Sequence, residues 1–248
     1  MILKITNKCT MECTHCFENS SIDGEHMTNE VFKQAIKFLK QFNLSILFIS
    51  GGEPTMHPKL FDIINILKKQ FNCKIILLSN GIFLNNKKYL EQLIKTNIQV
   101  QITNDPRYYK KKIIKFKHKN FKYVDNIGNE IIPLGRAINH QYDIFDTTPK
   151  PLCYCFRHVF LKTQDMNLTN IYLSEVYNKY CSISINNKGK VFISECSQCK
   201  PIGGIYDSIE YFNIKIKNFK CNNCGLYYNI PIEYRNEIGE ITTVEGDL

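Results

Sequence analysis

No stretch of this 248-residue chain is apolar for long enough to cross a bilayer as a helix. The longest apolar run, at 46–49, is strand-sized, against the roughly 18–20 residues a membrane span requires. Glycine and proline, 12 and 8 in number, show no excess, and no internal repeat or low-complexity linker is present, which excludes a fibrous or disordered class. Only eight residues precede the first cysteine, too few for the apolar core of a signal peptide or for an added leader-binding domain, so a cytoplasmic protein is expected.

What is present is an ordinary globular balance. Hydrophobic residues make up 44% and charged residues 22%, enough for one large core or a medium domain with a smaller one. Acids are the scarcer charge, 23 against 32 Lys and Arg, a formal net +9. Part of that excess is local: 107–122 holds eight Lys or Arg and no acid, interleaved with Tyr108, Tyr109, Phe116 and Phe121. Such a stretch is either a solvated basic face or a surface that neutralises phosphates and stacks bases, so RNA is an alternative but not the favoured partner.

Eleven cysteines demand a reason, because a reducing cytoplasm does not maintain structural disulfides. Metal-bound thiolates are the natural alternative, and the distribution suits them. Cys9, Cys13 and Cys16 lie at one end and Cys181, Cys196, Cys199, Cys221 and Cys224 at the other, with Cys73, Cys153 and Cys155 between.

The first half alternates short β-type runs with amphipathic helical stretches, the pattern of parallel βα units. Strands are predicted at 2–6, 45–49, 74–79, 98–103, 121–125 and 131–134. Helices are predicted at 27–42, with Thr28 as N-cap, at 58–70 and at 86–95. Six strands are fewer than a closed eight-fold barrel needs, so residues 1–150 are expected to form a partial barrel of six β/α units, ending near Pro149-Lys150-Pro151. Residues 151–248 are short, strand-like and cysteine-rich: 182–185 and 190–194, joined at Asn187-Lys188-Gly189, form a predicted β-hairpin in a small second domain.

Cys9-Thr-Met-Glu-Cys13-Thr-His-Cys16 puts three thiolates within eight residues directly after a strand. A loop so placed can grip three corners of an iron–sulfur cubane and leave the fourth iron open, although a zinc knuckle completed by His15 or a distant cysteine uses the same residues. Ser50-Gly51-Gly52-Glu53-Pro54 ends the second strand. There the glycines allow close backbone approach to a ligand, and the Glu53 carboxylate can accept a bond from an ammonium.

Together the two motifs resemble the radical S-adenosylmethionine superfamily, whose members carry CxxxCxxC after the first strand and GGE after the second. The resemblance implies that Cys9, Cys13 and Cys16 ligate a [4Fe–4S] cluster whose open iron chelates S-adenosylmethionine, with Gly51, Gly52 and Glu53 at the methionine end. It further implies His15 against adenine, Asn80 in the Asn-Gly turn after the third strand, Asn104 near the ribose and Arg136 at the cofactor carboxylate. The implied reaction passes one electron to the sulfonium, giving a 5′-deoxyadenosyl radical that takes hydrogen from substrate. The reducing electron donor would be a flavodoxin or ferredoxin.

Cys196-x-x-Cys199 and Cys221-x-x-Cys224, with 21 residues between, carry a strong metal signal that on spacing alone is a zinc ribbon. The same order, Cys181, a hairpin with Gly189, then Cys196 or Cys199 and the Cys221/Cys224 pair, resembles the appended SPASM or Twitch domains of radical enzymes. That resemblance implies a second [4Fe–4S] cluster, and five cysteines for four positions leave Cys196 and Cys199 as alternatives. The expected function is hydrogen abstraction from a peptide or small-molecule substrate, oxidative where the auxiliary cluster takes up an electron. The alternatives are RNA modification and a zinc-stabilised binding protein without catalysis.

Overall fold

The computed structural model describes residues 1–105, 109, 113–125, 135–139, 160–175, 183–193, 197 and 200–219, with backbone alone at 104, 125, 138, 139 and 172–175. Five parallel strands form its centre: β1 (Ile2–Thr6), β2 (Ile46–Gly51), β3 (Lys74–Ser79), β4 (Gln99–Asn104) and β5 (Phe121–Asp125), each paired to the next in sequence order. Helices α1 (Asn29–Leu39), α2 (Leu60–Gln70) and α3 (Lys87–Lys95) make the crossovers that parallel pairing requires. The strand at 131–134 lies outside the described residues.

Local chemistry sets these elements. Thr28 and Asn86 cap α1 and α3, accepting from the backbone N–H groups of Val31 and Tyr89. α1 turns Phe32, Ala35, Phe38 and Leu39 inward, and α2 does the same with Leu60, Ile63, Ile64 and Leu67. The apolar spacing that predicted a helix to 42 continues beyond the end of α1, because Phe42 reaches the core from a tightened turn in which its N–H donates to the Leu39 carbonyl at 3.1 Å.

Each strand alternates between two faces. Leu3, Ile5, Leu47, Ile49, Ile75, Leu77, Val100 and Ile102 share the main core with the helices, whereas Ile2, Phe48 and Ile76 form a smaller cluster on the other face.

The predicted hairpin is present as β6 (Ser184–Ile185) and β7 (Lys190–Phe192), antiparallel, with β8 (Gly203–Gly204) antiparallel to β7. Asn186 builds its turn, its Oδ1 accepting from the N–H groups of Lys188 and Lys190. β6 pairs in parallel with β1, so the hairpin continues the same sheet, in the order β5-β4-β3-β2-β1-β6-β7-β8. α4 (Met166–Glu175) and α5 (Ile209–Lys217) lie in the later part of the chain, and Phe212 of α5 meets Phe38 of α1 edge to face, ring centroids 5.4 Å apart. A division at residue 150, and all seven cysteines from Cys153 onward, fall outside the described residues. No helix among the described residues is long and apolar enough to cross a membrane.

Candidate functional site

The site lies where β1, β2, β3 and β4 end, on the side to which the C-terminal ends of the parallel strands point. The chain leaves β1 at Thr6, makes the cysteine loop, and returns alongside itself. Asn7 N–H donates to the Glu25 carbonyl at 2.8 Å, Cys9 N–H to Ser21 at 2.8 Å, and Met27 N–H to Ile5 at 2.7 Å. Within the loop Cys16 N–H reaches the Cys13 carbonyl at 3.2 Å, and Glu12 and Asn19 take positive φ. The loop is thus fixed by its own backbone bonds.

The three thiols lie close enough to feel one another. Burial pushes the Cys13 thiol up to about 12, and the neighbouring Cys9 and Cys16 add to the rise. Burial also raises Cys9, opposed by its contact with the Met11 N–H. Raised thiols such as those of Cys9 and Cys13 give up their protons readily only where a metal cation compensates the charge, as an iron–sulfur core or a zinc ion would. Among the described residues no three His, Cys, Asp or Glu side chains converge on a point that would hold a single ion. A cubane asks for no such convergence, because each cysteine binds a different iron.

The sulfur of Cys9 accepts from Met11 N–H at 3.5 Å and from Asn80 Nδ2 at 3.6 Å. Asn80 is held in turn: its Oδ1 accepts from Ile82 N–H at 2.9 Å and its own N–H donates to Glu53 Oε2 at 2.8 Å. Glu53 is fully buried, and its Oε1 accepts from Thr55 N–H at 3.1 Å, Thr55 Oγ1 at 2.5 Å and Ser79 Oγ at 2.8 Å. The carboxylate therefore ties the turn after β2 to the turn after β3, and through Asn80 to the Cys9 sulfur. Burial raises its pKa, and the bonds from Thr55, Asn80 and Ser79 oppose that rise.

Gly51 and Gly52 approach protein backbone. Gly52 N–H donates to the Thr6 carbonyl at 2.9 Å and Glu53 N–H to Lys8 at 2.8 Å, which locks the GGEP turn to the start of the cysteine loop. A Cβ on Gly51 would sit 2.1 Å from the Thr6 oxygen, and one on Gly52 2.5 Å from that of Lys8.

The remaining predicted residues are distributed around this centre. His15 is half-buried, its Nε2 4.0 Å from Oδ2 of the buried Asp105. Asn104 ends β4, opposite Asp125. Arg136, in a 3-10 turn at Gly135–Asn139, lies against the cysteine loop: Nε donates to the Cys13 carbonyl at 3.0 Å and Nη1 to that of Ser20 at 2.6 Å. Cys181, Cys196, Cys199, Cys221 and Cys224 lie outside the described residues.

Two features escaped sequence reasoning. Tyr109, counted only as an aromatic in the basic stretch, donates its hydroxyl to the Thr103 carbonyl at 2.8 Å; burial raises its phenol, and the nearby Cys13, Glu53, Asp105 and Cys9 raise it further. On the face of β1 that carries Ile2, buried Lys4 pairs with Glu18, two residues past Cys16, and donates to Ser197 Oγ at 3.1 Å while Ser197 N–H donates to Glu18 at 3.2 Å. Ser197 is thereby anchored beside the first cysteine loop. Lysine within a strand reads from sequence as a surface position, and only the fold reveals its partners.

The Glu53 contacts carry an expected result. Glu53→Gln keeps the shape but presents an amide N–H to Asn80 N–H, so one buried donor is left unsatisfied. The variant should lose about 1–3 kcal/mol of stability, read by denaturant unfolding. Wild-type stability would mean that the carboxylate is not what holds the β3 turn.

The sequence model of the Radical SAM superfamily matches residues 3–130. The chain is 30% identical over 244 residues to a probable GTP 3′,8-cyclase of Methanocaldococcus jannaschii, covering 96% of this chain and 65% of that protein. It is 32% identical over 79 residues to an S-adenosylmethionine-dependent nucleotide dehydratase of a Thermoplasmatales archaeon, covering 32% of this chain and 28% of the relative. This chain therefore spans less than two thirds of the length of these relatives. Among solved structures, BtrN in complex with AdoMet and 2-DOIA superposes with a TM-score of 0.57 at 16% identity, over 90% of this chain and 91% of that one, a likeness of fold.

Proposed function

This chain belongs to the Radical SAM superfamily, and from that premise we propose that Cys9, Cys13 and Cys16 hold the [4Fe–4S] cluster with which the enzyme removes hydrogen from a small-molecule substrate. The observation that carries the reading is the loop itself: three mutually close thiols, one of them bonded to Asn80, backbone-locked to the GGEP turn. When bound there, the cluster and S-adenosylmethionine together supply the one-electron reductive cleavage that starts the reaction. The chain contributes position. Glu53 and Asn80 hold the Cys9 side of the loop, Gly51 and Gly52 let the GGEP turn lie against Thr6 and Lys8, and half-buried Tyr109 and buried Asp105 line the site beside β4, where they limit water at a reactive centre. His15, Asn104 and the backbone of Gly51 and Gly52 are the groups proposed to meet the cofactor. A small acidic electron carrier such as flavodoxin or ferredoxin is the proposed reductant.

Within small molecules a purine nucleotide is the favoured class, because relatives matched over 96% and 32% of the chain are named for a GTP cyclase and a nucleotide dehydratase. The net +9 charge suits a phosphorylated substrate. The test is anaerobic incubation of reduced protein with S-adenosylmethionine, with and without GTP. Release of 5′-deoxyadenosine that rises with GTP, together with loss of GTP, is expected. No 5′-deoxyadenosine would reject the cluster assignment, and its release without any loss of GTP would reject the nucleotide.

The later cysteines are proposed to hold a second [4Fe–4S] cluster that takes up an electron or binds substrate, with zinc as the competing occupant. Their spacing supports this reading, and Ser197, their neighbour in sequence, is held by Lys4 and Glu18. Cys221→Ala should leave cleavage of S-adenosylmethionine at least partly intact while product formation fails. Persistence of both activities would make the second site dispensable.

A further inference from the structure

The cysteine loop is held on one side by β1 and the GGEP turn, and on its other side by a segment more than a hundred residues away in sequence. Arg136 makes three hydrogen bonds to it: its backbone N–H to the Cys16 carbonyl at 3.0 Å, Nε to the Cys13 carbonyl at 3.0 Å and Nη1 to the Ser20 carbonyl at 2.6 Å. Gly135, with φ +59, lets this approach happen, since a Cβ there would lie 2.5 Å from the Phe17 oxygen and 2.6 Å from that of Cys16. Two loop carbonyls, those of Cys13 and Ser20, are bridged by one planar, permanently charged group. An arginine fork reaches both and brings a positive charge to the cysteine loop.

We propose that Arg136 is the positioning residue of the cluster loop: it fixes the spread of the cysteines by gripping the Cys13 and Ser20 carbonyls, and it sets the cluster's reduction potential with its charge. This rests on the cluster assignment at Cys9, Cys13 and Cys16, and it gives Arg136 a task that does not require S-adenosylmethionine to be present. A three-thiolate cluster gains negative charge on reduction. A fixed cation nearby favours the reduced form, and the hydrogen bonds keep the loop from relaxing when iron is lost.

Two variants separate the two tasks. Arg136→Gln retains hydrogen-bonding donors on a shorter side chain and removes the charge; Arg136→Lys retains charge and removes the fork. Without S-adenosylmethionine, Arg136→Gln should show a midpoint potential shifted to more negative values by an electron paramagnetic resonance titration. Both variants should lose iron to a chelator roughly tenfold faster than wild type, the effect of losing about one charge-assisted hydrogen bond. In metal-free protein, both should show faster amide exchange across 13–20, where the Cys16 and Asn19 N–H groups are otherwise bonded.

Wild-type iron retention and wild-type exchange in Arg136→Lys would overturn the clamp, whatever becomes of the glutamine variant. An unchanged potential in folded Arg136→Gln would overturn the electrostatic task. A change confined to affinity for S-adenosylmethionine would overturn both and return Arg136 to the cofactor carboxylate. Should wild type hold no iron, the cluster assignment fails by itself, and amide exchange in the metal-free protein still decides the clamp.

Discussion

Cys13→Ala is expected to abolish reductive cleavage of S-adenosylmethionine, with no 5′-deoxyadenosine above background in anaerobic, reduced protein. Cys13 sits at the middle of the loop, its carbonyl engaged by Arg136 and by the Cys16 N–H, which fixes the backbone that presents its thiol. The chemistry makes the loss total. A cluster with one iron left open for the cofactor has only three protein ligands, and removing one leaves two, which cannot keep a four-iron core together. The fold should survive, because Cys13 is half-buried at the rim and absent from the main core. Circular dichroism like that of wild type, iron near zero and no cleavage are the expected set. Cleavage at a measurable fraction of wild type would reject Cys13 as a ligand.

The second large effect belongs to backbone. Gly52→Ala should destabilise the protein by about 3 kcal/mol or more and strip it of iron, because the new methyl would lie 2.5 Å from the Lys8 carbonyl oxygen, and that oxygen accepts the Glu53 N–H. Neither partner is the flexible end of a side chain. Relief requires the GGEP turn to move off the cysteine loop, which breaks the bonds from Gly52 N–H to Thr6 and from Glu53 N–H to Lys8. At roughly 2–4 °C per kcal/mol for a chain of this size, the midpoint of thermal unfolding should fall by about 10 °C. Gly204→Ala is the internal control: the nearest atom to its Cβ would be 3.6 Å away, an ordinary contact, and its midpoint should stay within a degree or two of wild type. Equal midpoints for the two variants would mean that the GGEP turn does not bear on the loop as described.

Much of this architecture was legible from residues alone, and the rest was hidden for identifiable reasons. Strands 74–79 and 121–125 coincide with β3 and β5, and the cap at Thr28 is a local signal with a local physical cause. The hairpin was legible from its turn residues. Its destination was not, because the pairing of Ser184 and Ile185 with Ile2 and Leu3 is a contact across most of the chain that no nearby residue announces.

The site divides in the same way. The thiol spacing and the GGE turn announced themselves, and the glycines did need close approach. What they approach is the backbone of Thr6 and Lys8, which a sequence cannot distinguish from a ligand. Glu53 and Arg136 read as groups awaiting a cofactor, since a charged side chain beside a motif looks available. In the fold Glu53 accepts from Thr55, Ser79 and Asn80, and Arg136 donates to the carbonyls of Cys13 and Ser20. Charges in a loop-built site have backbone partners, and those are set by tertiary contact, not by neighbours in sequence.

The most direct measurement is the electron paramagnetic resonance spectrum of anaerobically prepared, dithionite-reduced protein before and after S-adenosylmethionine is added. The account predicts a cubane signal whose g-values move on addition, because the cofactor binds the iron that Cys9, Cys13 and Cys16 leave open. A reduced cluster whose signal is indifferent to the cofactor, or a preparation that gives no cluster signal at all, would contradict it.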